Sequence, residues 1–272
     1  MIKFSVLLSV YKNEKAEYLY LALNSIIIEQ TRLPDEIVLV KDGPLTTNLE
    51  SIITDFEKST AIPVKIISLK NNIGLGNALN AGLKHCSYDW VFRMDTDDVS
   101  LPHRFEKQIN FIINNPEIVI LGTNVEEYDC NMTVSLGVRK TPCTHAEIIN
   151  YIKVRNPFNH MSVAFKKNVI LSVGGYQHHL FMEDYNLWIR VISAGYKSAN
   201  LDEVLLNVRA GDSMIQRRKG LVYIKSEFQL AKLKTSNNVD NRISAARYFL
   251  LRSITRILPT STLSNIYKKL RK

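Results

Sequence analysis

Through the first 120 residues, short apolar runs without polar alternation take turns with segments whose apolar positions recur at helical spacing. "KFSVLLSV" (3–10) is a run of strand length, and "AEYLYLALNSIIIEQ" (16–30) then repeats Leu19, Leu23, Ile26 and Ile27 as a helix does. "DEIVLVKDG" reads as a second strand closed by Asp-Gly turn chemistry, "LESIITDFEKS" as a helix and "PVKIISL" as a third strand. "GLGNALNAGLKHC" predicts a helix, "DWVFRMD" a fourth strand, "RFEKQINFIINN" a helix stopped by Asn115-Pro116, and "EIVILGT" a fifth strand. Strands that lack polar alternation and are separated by helices indicate an α/β fold, with a mostly parallel sheet covered on both faces. After about Gly122 the pattern loosens into shorter strands and turns. A strong helical pattern returns at "FMEDYNLWIRVISAG", and "LVYIKSEFQLAKLK", "RISAARYFLLRSITRIL" and "TLSNIYKKLRK" read as basic helices.

In parallel sheets, ligands bind beyond the carboxyl ends of the strands. That places the functional loops at Val10–Tyr11, Asp42-Gly43, Asn71–Gly76 and Asp95–Asp98. The last loop holds three acids, Asp95, Asp97 and Asp98. Carboxylates two apart at a strand end can turn toward one hard cation such as Mg²⁺ or Mn²⁺. Equally, an acidic turn before Pro102 can cap the following helix, and spacing alone leaves both readings open.

The other candidate acids are Glu183 and Asp184. At about 100° per residue, Asp184 falls amid Phe181, Leu187, Trp188, Val191 and Ile192, with Glu183 at the border of that face. A carboxylate on an apolar face is costly unless it is paired or employed, and burial raises its pKa toward the range a general base needs. A buried Asp satisfied by a cap or an Arg is the structural alternative. His179 and Glu183 are four apart, but no two-histidine zinc pattern accompanies them, so His178 and His179 read as loop residues.

With 272 residues, 46% of them hydrophobic, the chain can bury one large core plus an appendage. Its formal charge of +9 is uneven: from Arg217 onward fourteen lysines and arginines face only Glu227 and Asp240, a balance of +12, which leaves −3 for residues 1–216. This divides the chain into an acidic body, 1–215, and a basic helical segment, 216–272, and it points to an anionic partner surface. Arg242, Arg247, Arg252 and Arg256, interleaved with Tyr248, Phe249, Leu250, Leu251 and Ile257, suit an amphipathic helix lying on anionic lipid. Arg217, Arg218 and Lys219 are placed to grip a diphosphate. Three separated cysteines, Cys86, Cys130 and Cys143, predict a reducing, cytoplasmic setting. No run reaches the ~20 apolar residues of a spanning helix, and no nucleic-acid motif is present.

Taken in order, "FSVLLSVYKNE", "DEIVLVKDGP", "NNIGLGNALNAGL", "MDTDD", "VGGY" and "EDYNLWIR" resemble the family 2 glycosyltransferases, which have the GT-A fold. The likeness covers about residues 3–210. The later "NVRAGDSMIQRRKG" and the basic helices look like the bacterial branch that builds O-antigen, capsule or exopolysaccharide repeat units. The resemblance implies that Tyr11 lines the nucleobase pocket, Asp42 binds base or ribose, and Asn72 and the Gly74 loop border the nucleoside. It also implies Asp95 at the ribose, Asp97 on a divalent metal with Asp98 assisting, Asp184 as catalytic base, and Glu183 orienting the acceptor. It further implies a UDP-sugar donor, a polyprenyl-diphosphate-linked sugar acceptor, and a peripheral position on the inner face of the cytoplasmic membrane. One departure stands out. Many relatives have Arg-x-His after the last strand, and here that place reads "VRAGD", so Arg209, Arg217 and Arg218 are candidates to neutralise diphosphate instead. Two rival readings are an NAD-dependent oxidoreductase using Gly74 and Gly76, which Leu79 at the third glycine position opposes, and a non-catalytic assembly subunit.

Overall fold

The computed structural model describes residues 2–210 and 220–257. A nine-stranded sheet has the order β3-β2-β1-β4-β8-β6-β9-β5, with β7 added on β6. Its first half matches the reading from sequence closely. The strands β1 (Phe4–Val10), β2 (Glu36–Lys41), β3 (Val64–Ser68) and β4 (Trp90–Arg93) are parallel neighbours. Between them run α1 (Ala16–Ser25), α2 (Thr47–Ser59) and α3 (Leu75–Leu83). Alternate strand residues enter opposite cores: Leu7, Val38, Val40 and Val91 pack toward α3, whereas Val6, Leu8, Ile37, Leu39 and Phe92 pack with residues of α1 and α2. Both faces are therefore dry, and this is why the strands show no polar alternation. Helix α3 approaches the sheet closely because residue 82 is glycine; a Cβ there would lie 2.5 Å from Leu7 Cδ1 and 2.6 Å from Val40 Cγ2.

The second half departs from simple alternation. The short strands β5 (Val99–Ser100) and β8 (Ala164–Lys166) were not legible as strands. β8 runs antiparallel between β4 and β6 (Ile118–Tyr128), so the predicted fifth strand never touches the fourth. β6 extends five residues beyond the predicted "EIVILGT", pairing with β7 (Ser135–Arg139) and in parallel with β9 (Lys197–Arg209). β5 pairs antiparallel with the end of β9, Val99 opposite Asn207. That pairing ties the loop carrying the three acids to Arg209. The remaining helices of the body are α4 (Arg104–Asn114), α5 (His145–Tyr151), α6 (Lys167–Ser172) and α7 (Glu183–Ser193).

The predicted boundary at 215/216 lies outside the described residues. Helix α8 (Leu221–Ser236) sends Tyr223 and Leu230 into the core beneath α3 and α7. Helix α9 (Arg242–Ile257) packs on α8 through Phe249 against Phe228, ring centroids 5.7 Å apart. The sequence reading of α9 needs correction here. Arg252 and Arg256 do not face outward; they close on the buried Glu227 of α8 at 2.7 and 3.0 Å. A carboxylate in the apolar interior requires such partners, and Glu227 is one of only two acids in the basic segment.

Candidate active site

The expected loops all emerge at one end of the four parallel strands. Tyr11 follows β1 and is 42% exposed; Asp42 follows β2 and is buried; Asn72 and Gly74 follow β3; Asp95, Asp97 and Asp98 follow β4. Asp42 is the clamp of this edge. Its Oδ1 accepts from Ile73 N at 2.7 Å and its Oδ2 from Gly74 N at 3.1 Å, while Asn72 Nδ2 donates to its carbonyl at 3.2 Å. The neighbouring Gly43 has φ +88°, and a Cβ there would sit 2.7 Å from Asn72 N, so glycine is what lets the two loops touch. The amides of the Gly74 loop, which a dinucleotide fold would offer to pyrophosphate, are turned to a protein carboxylate instead. The loop also follows the edge strand β3 rather than β1.

The acid cluster does not cap α4. That helix begins at Arg104 behind His103, with no side-chain cap, and β5 intervenes. Carboxylate oxygens of Asp95, Asp97 and Asp98 lie within 4.8 Å of one another. Beneath them stands Arg93, 1% exposed at the end of β4, with Nη2 2.5 Å from Asp95 Oδ1. Arg104, also fully buried, donates to the Arg93 carbonyl at 2.6 Å; burial and the Arg93 charge push its pKa down to about 9. Arg93 pairs directly with Asp95 and acts on Asp97 and Asp98 only through its charge. Burial and the neighbouring acids raise Asp97 to about 7 and lift Asp98 well above the usual carboxylate range. Asp98 Oδ1 accepts from Arg209 N at 3.1 Å, but its buried Oδ2 has no partner among the described residues. Clustered oxygen ligands, an excess of negative charge and an orphaned carboxylate oxygen fit a divalent cation.

Arg209 ends β9 beside this cluster but is already engaged. It donates to the carbonyls of Asp97 and Cys130 and lies over the Tyr18 ring at 3.9 Å. Arg217 and Arg218 lie outside the described residues.

On the other side, α7 starts at Glu183, so Asp184 sits in its first turn, and Phe181, one of the residues counted on its face, stays outside the helix at φ +67°. Burial nonetheless dominates and raises the Asp184 pKa. The amide of Tyr185, the Asn156 side chain and the charges of Arg139 and Arg93 oppose it without cancelling it. Asn156 Nδ2 donates to Asp184 Oδ2 at 2.6 Å. Glu183 is also raised, by burial first and then by Asp184, and it faces α3, where a Cβ on Gly76 would lie 3.4 Å from its Cγ. The "GGY" turn joins the two sides: Asn80 of α3 grips the Tyr176 backbone, accepting from its N at 2.8 Å and donating to its O at 2.7 Å. His179 is a loop residue, as read, yet it is buried between Ser226 O (2.9 Å) and Asn186 Nδ2 (3.1 Å), so its role is structural.

Sequence reasoning missed Arg93, Arg104 and Asn156. Arg93 was detectable as one cation inside the apolar run "WVFRM"; Asn156 lies in the turn "RNPFN", which carries no such signal.

A strand-end acid cluster and a separately held, pKa-raised carboxylate on a sheet of this order fit a GT-A glycosyltransferase. The profile described as Glycosyl transferase family 2 matches residues 5–178, and the chain belongs to that family. It is 46% identical over 269 residues to the amylovoran biosynthesis glycosyltransferase AmsE of Erwinia amylovora, covering 99% of each chain. It is 36% identical over 271 residues to an Escherichia coli UDP-Gal:alpha-D-GlcNAc-diphosphoundecaprenol beta-1,3-galactosyltransferase, covering 98% of this chain and 96% of that one. Among solved structures, the mannosyltransferase PcManGT from Pyrobaculum calidifontis, in complex with GDP-Man and Mn²⁺, superposes with a TM-score of 0.64 at 16% identity, covering 98% of this chain and 80% of that one. The protein is a glycosyltransferase, and the oxidoreductase and non-catalytic readings are set aside.

Proposed function

We propose that the chain moves a hexose, galactose or glucose, from a UDP-sugar to a sugar carried on a lipid diphosphate, inverting the anomeric carbon in one displacement. The observation that carries this reading is the division of the site. Three crowded carboxylates stand at the end of β4, and Asp184, half-buried and raised in pKa, stands on α7 with its orientation held by Asn156. The name of the E. coli relative supports the donor and the lipid-diphosphate acceptor.

On this reading Tyr11, Asn72 and the Gly74 loop border the nucleoside, and Asp42 keeps that loop in shape. Asp95, oriented by Arg93, faces the ribose. Asp97 and Asp98 would hold Mn²⁺ or Mg²⁺, and a bound cation supplies charge neutralisation at the departing nucleotide diphosphate. Asp184 takes the proton of the acceptor hydroxyl as that oxygen attacks, and Glu183 orients the acceptor. Arg209 contributes positive charge beside the cluster while its N–H groups stay on protein carbonyls; Arg217 and Arg218, outside the described residues, are assigned by sequence alone to the acceptor diphosphate. No described helix is long and apolar enough to cross a membrane. On this reading the protein works as a peripheral enzyme at the inner face of the cytoplasmic membrane, where it meets the lipid-linked acceptor.

The test is a panel of nucleotide sugars assayed with one synthetic sugar-diphosphate-lipid acceptor, with EDTA and with added Mn²⁺. Transfer from UDP-galactose or UDP-glucose that EDTA abolishes and Mn²⁺ restores is expected. Full activity in EDTA would remove the metal role of Asp97.

A further inference from the structure

Helix α9 is amphipathic in an unusual sense: two of its four arginines point inward and its apolar stripe points out. The inward face carries Arg252 and Arg256, both consumed by Glu227. The outward face carries Ile243, Leu250 and Ile254, which are 85, 59 and 57% exposed. At about 100° per residue these three fall within one narrow stripe. Exposed Arg242 and Arg247 flank it, and with Leu251 they line a shallow groove. Residues 242–257 contain no acid, and the sequence beyond, 258–272, adds four basic residues and again no acid. An exposed apolar stripe whose charged neighbours on the helix are all cations matches the chemistry of an anionic lipid surface.

The position of this face supports the same partner. Arg252 Nη1 donates to Val154 O at 2.8 Å, and Lys234 Nζ of α8 donates to Lys153 O at 2.8 Å. The same short loop continues to Asn156, whose side chain holds Asp184. Phe181, two residues before α7, stacks on Tyr223 of α8 at 5.3 Å. The helix pair is therefore fastened to the acceptor side of the site rather than to the donor edge.

We propose that the outward face of α9 seats on an anionic bilayer, with Ile243, Leu250 and Ile254 in the interface and Arg242 and Arg247 at the headgroups. The acceptor side of the site is thereby held against the membrane that carries the lipid diphosphate; this last step rests on the proposed acceptor.

The test is flotation of the full chain with phosphatidylethanolamine–phosphatidylglycerol vesicles and, separately, phosphatidylcholine vesicles. It compares wild type with the triple variant Ile243→Ser, Leu250→Ser, Ile254→Ser and the double variant Arg242→Glu, Arg247→Glu. Each variant should float at least about tenfold less well with the anionic vesicles. Each should keep wild-type melting behaviour and wild-type transfer to a short-tailed, water-soluble acceptor. Wild-type flotation by the triple variant would overturn the proposal. So would a concentration-dependent dimer that this variant converts to monomer without any change in flotation, because the stripe would then be an interface between copies. Loss of flotation in the variants supports the surface even if no acceptor is used, so a failed transfer assay would count against the acceptor alone.

Discussion

The donor edge and the acceptor side of this protein are built by different means. At the donor edge, four adjacent parallel strands deliver their loops to one place, and the loops are locked by backbone contacts such as Asp42 to Ile73 and Gly74. On the acceptor side, helices and irregular loops from distant parts of the chain converge: Asp184 on α7, Asn156 after α5, and α8–α9 behind them. The donor edge crowds three carboxylates at the end of one strand, with burial and mutual repulsion raising the pKa of Asp97 and Asp98. The acceptor side buries its charges in pairs, with Glu227 between two arginines. On the proposed function the first region cradles the nucleotide and the second receives the acceptor, and each can be perturbed without the other.

The largest effect should come from Asp184→Asn, which keeps the Asn156 contact region filled but removes the base. Transfer should fall by about 10²–10⁴-fold, the usual contribution of general base catalysis, in a rate assay at saturating donor. A loss below tenfold would mean that another group takes the proton.

Breaking the other kind of construction, Glu227→Gln leaves two buried guanidinium groups without their carboxylate. Removing one partner of a buried ion pair costs about 3–5 kcal/mol, on the order of 10 °C in Tm for a chain of this size. Thermal melting in buffer without metal or donor checks this; an unchanged Tm would show that the helix pair contributes little to the body's stability.

Asn156→Ala should cost about tenfold in kcat/KM, and its more telling effect is on pH. The Asn156 hydrogen bond lowers the Asp184 pKa against the burial that raises it. Losing that bond should move the acidic limb of the kcat/KM profile to higher pH, and an unmoved limb would leave Asn156 a purely structural role.

The smallest effect has the opposite sign. The pKa of Asp98 is raised in the folded protein, so the metal-free fold loses stability as pH rises from the unfolded Asp range through that raised value. Asp98→Asn should raise the Tm of the metal-free protein at pH 8, and raise it less at pH 5. Equal Tm changes at the two pH values would refute the electrostatic account of the cluster.

The same division explains what was legible in the sequence. Strands β1–β4 and helices α1–α3 could be read because each strand is buried on both faces and each helix follows at once. The acids then fall at strand ends by counting. β5 and β8 are two and three residues long and owe their existence to partners far away in sequence, so no local pattern marks them. Asp184 was found as an acid in apolar company, but its place in the helix was misjudged because Phe181 extends the periodicity across a residue with positive φ. Arg252 and Arg256 look like surface cations until Glu227 is seen between them.

The central claim is that donor binding and proton removal reside in separate sets of acids. Calorimetric titration of UDP into wild type, Asp97→Asn and Asp184→Asn, each with and without Mn²⁺, tests it most directly. Asp184→Asn should bind UDP with wild-type, Mn²⁺-enhanced affinity while catalysing no transfer, and Asp97→Asn should lose the Mn²⁺ enhancement. Wild-type enhancement in Asp97→Asn, or its loss in Asp184→Asn, would contradict the account.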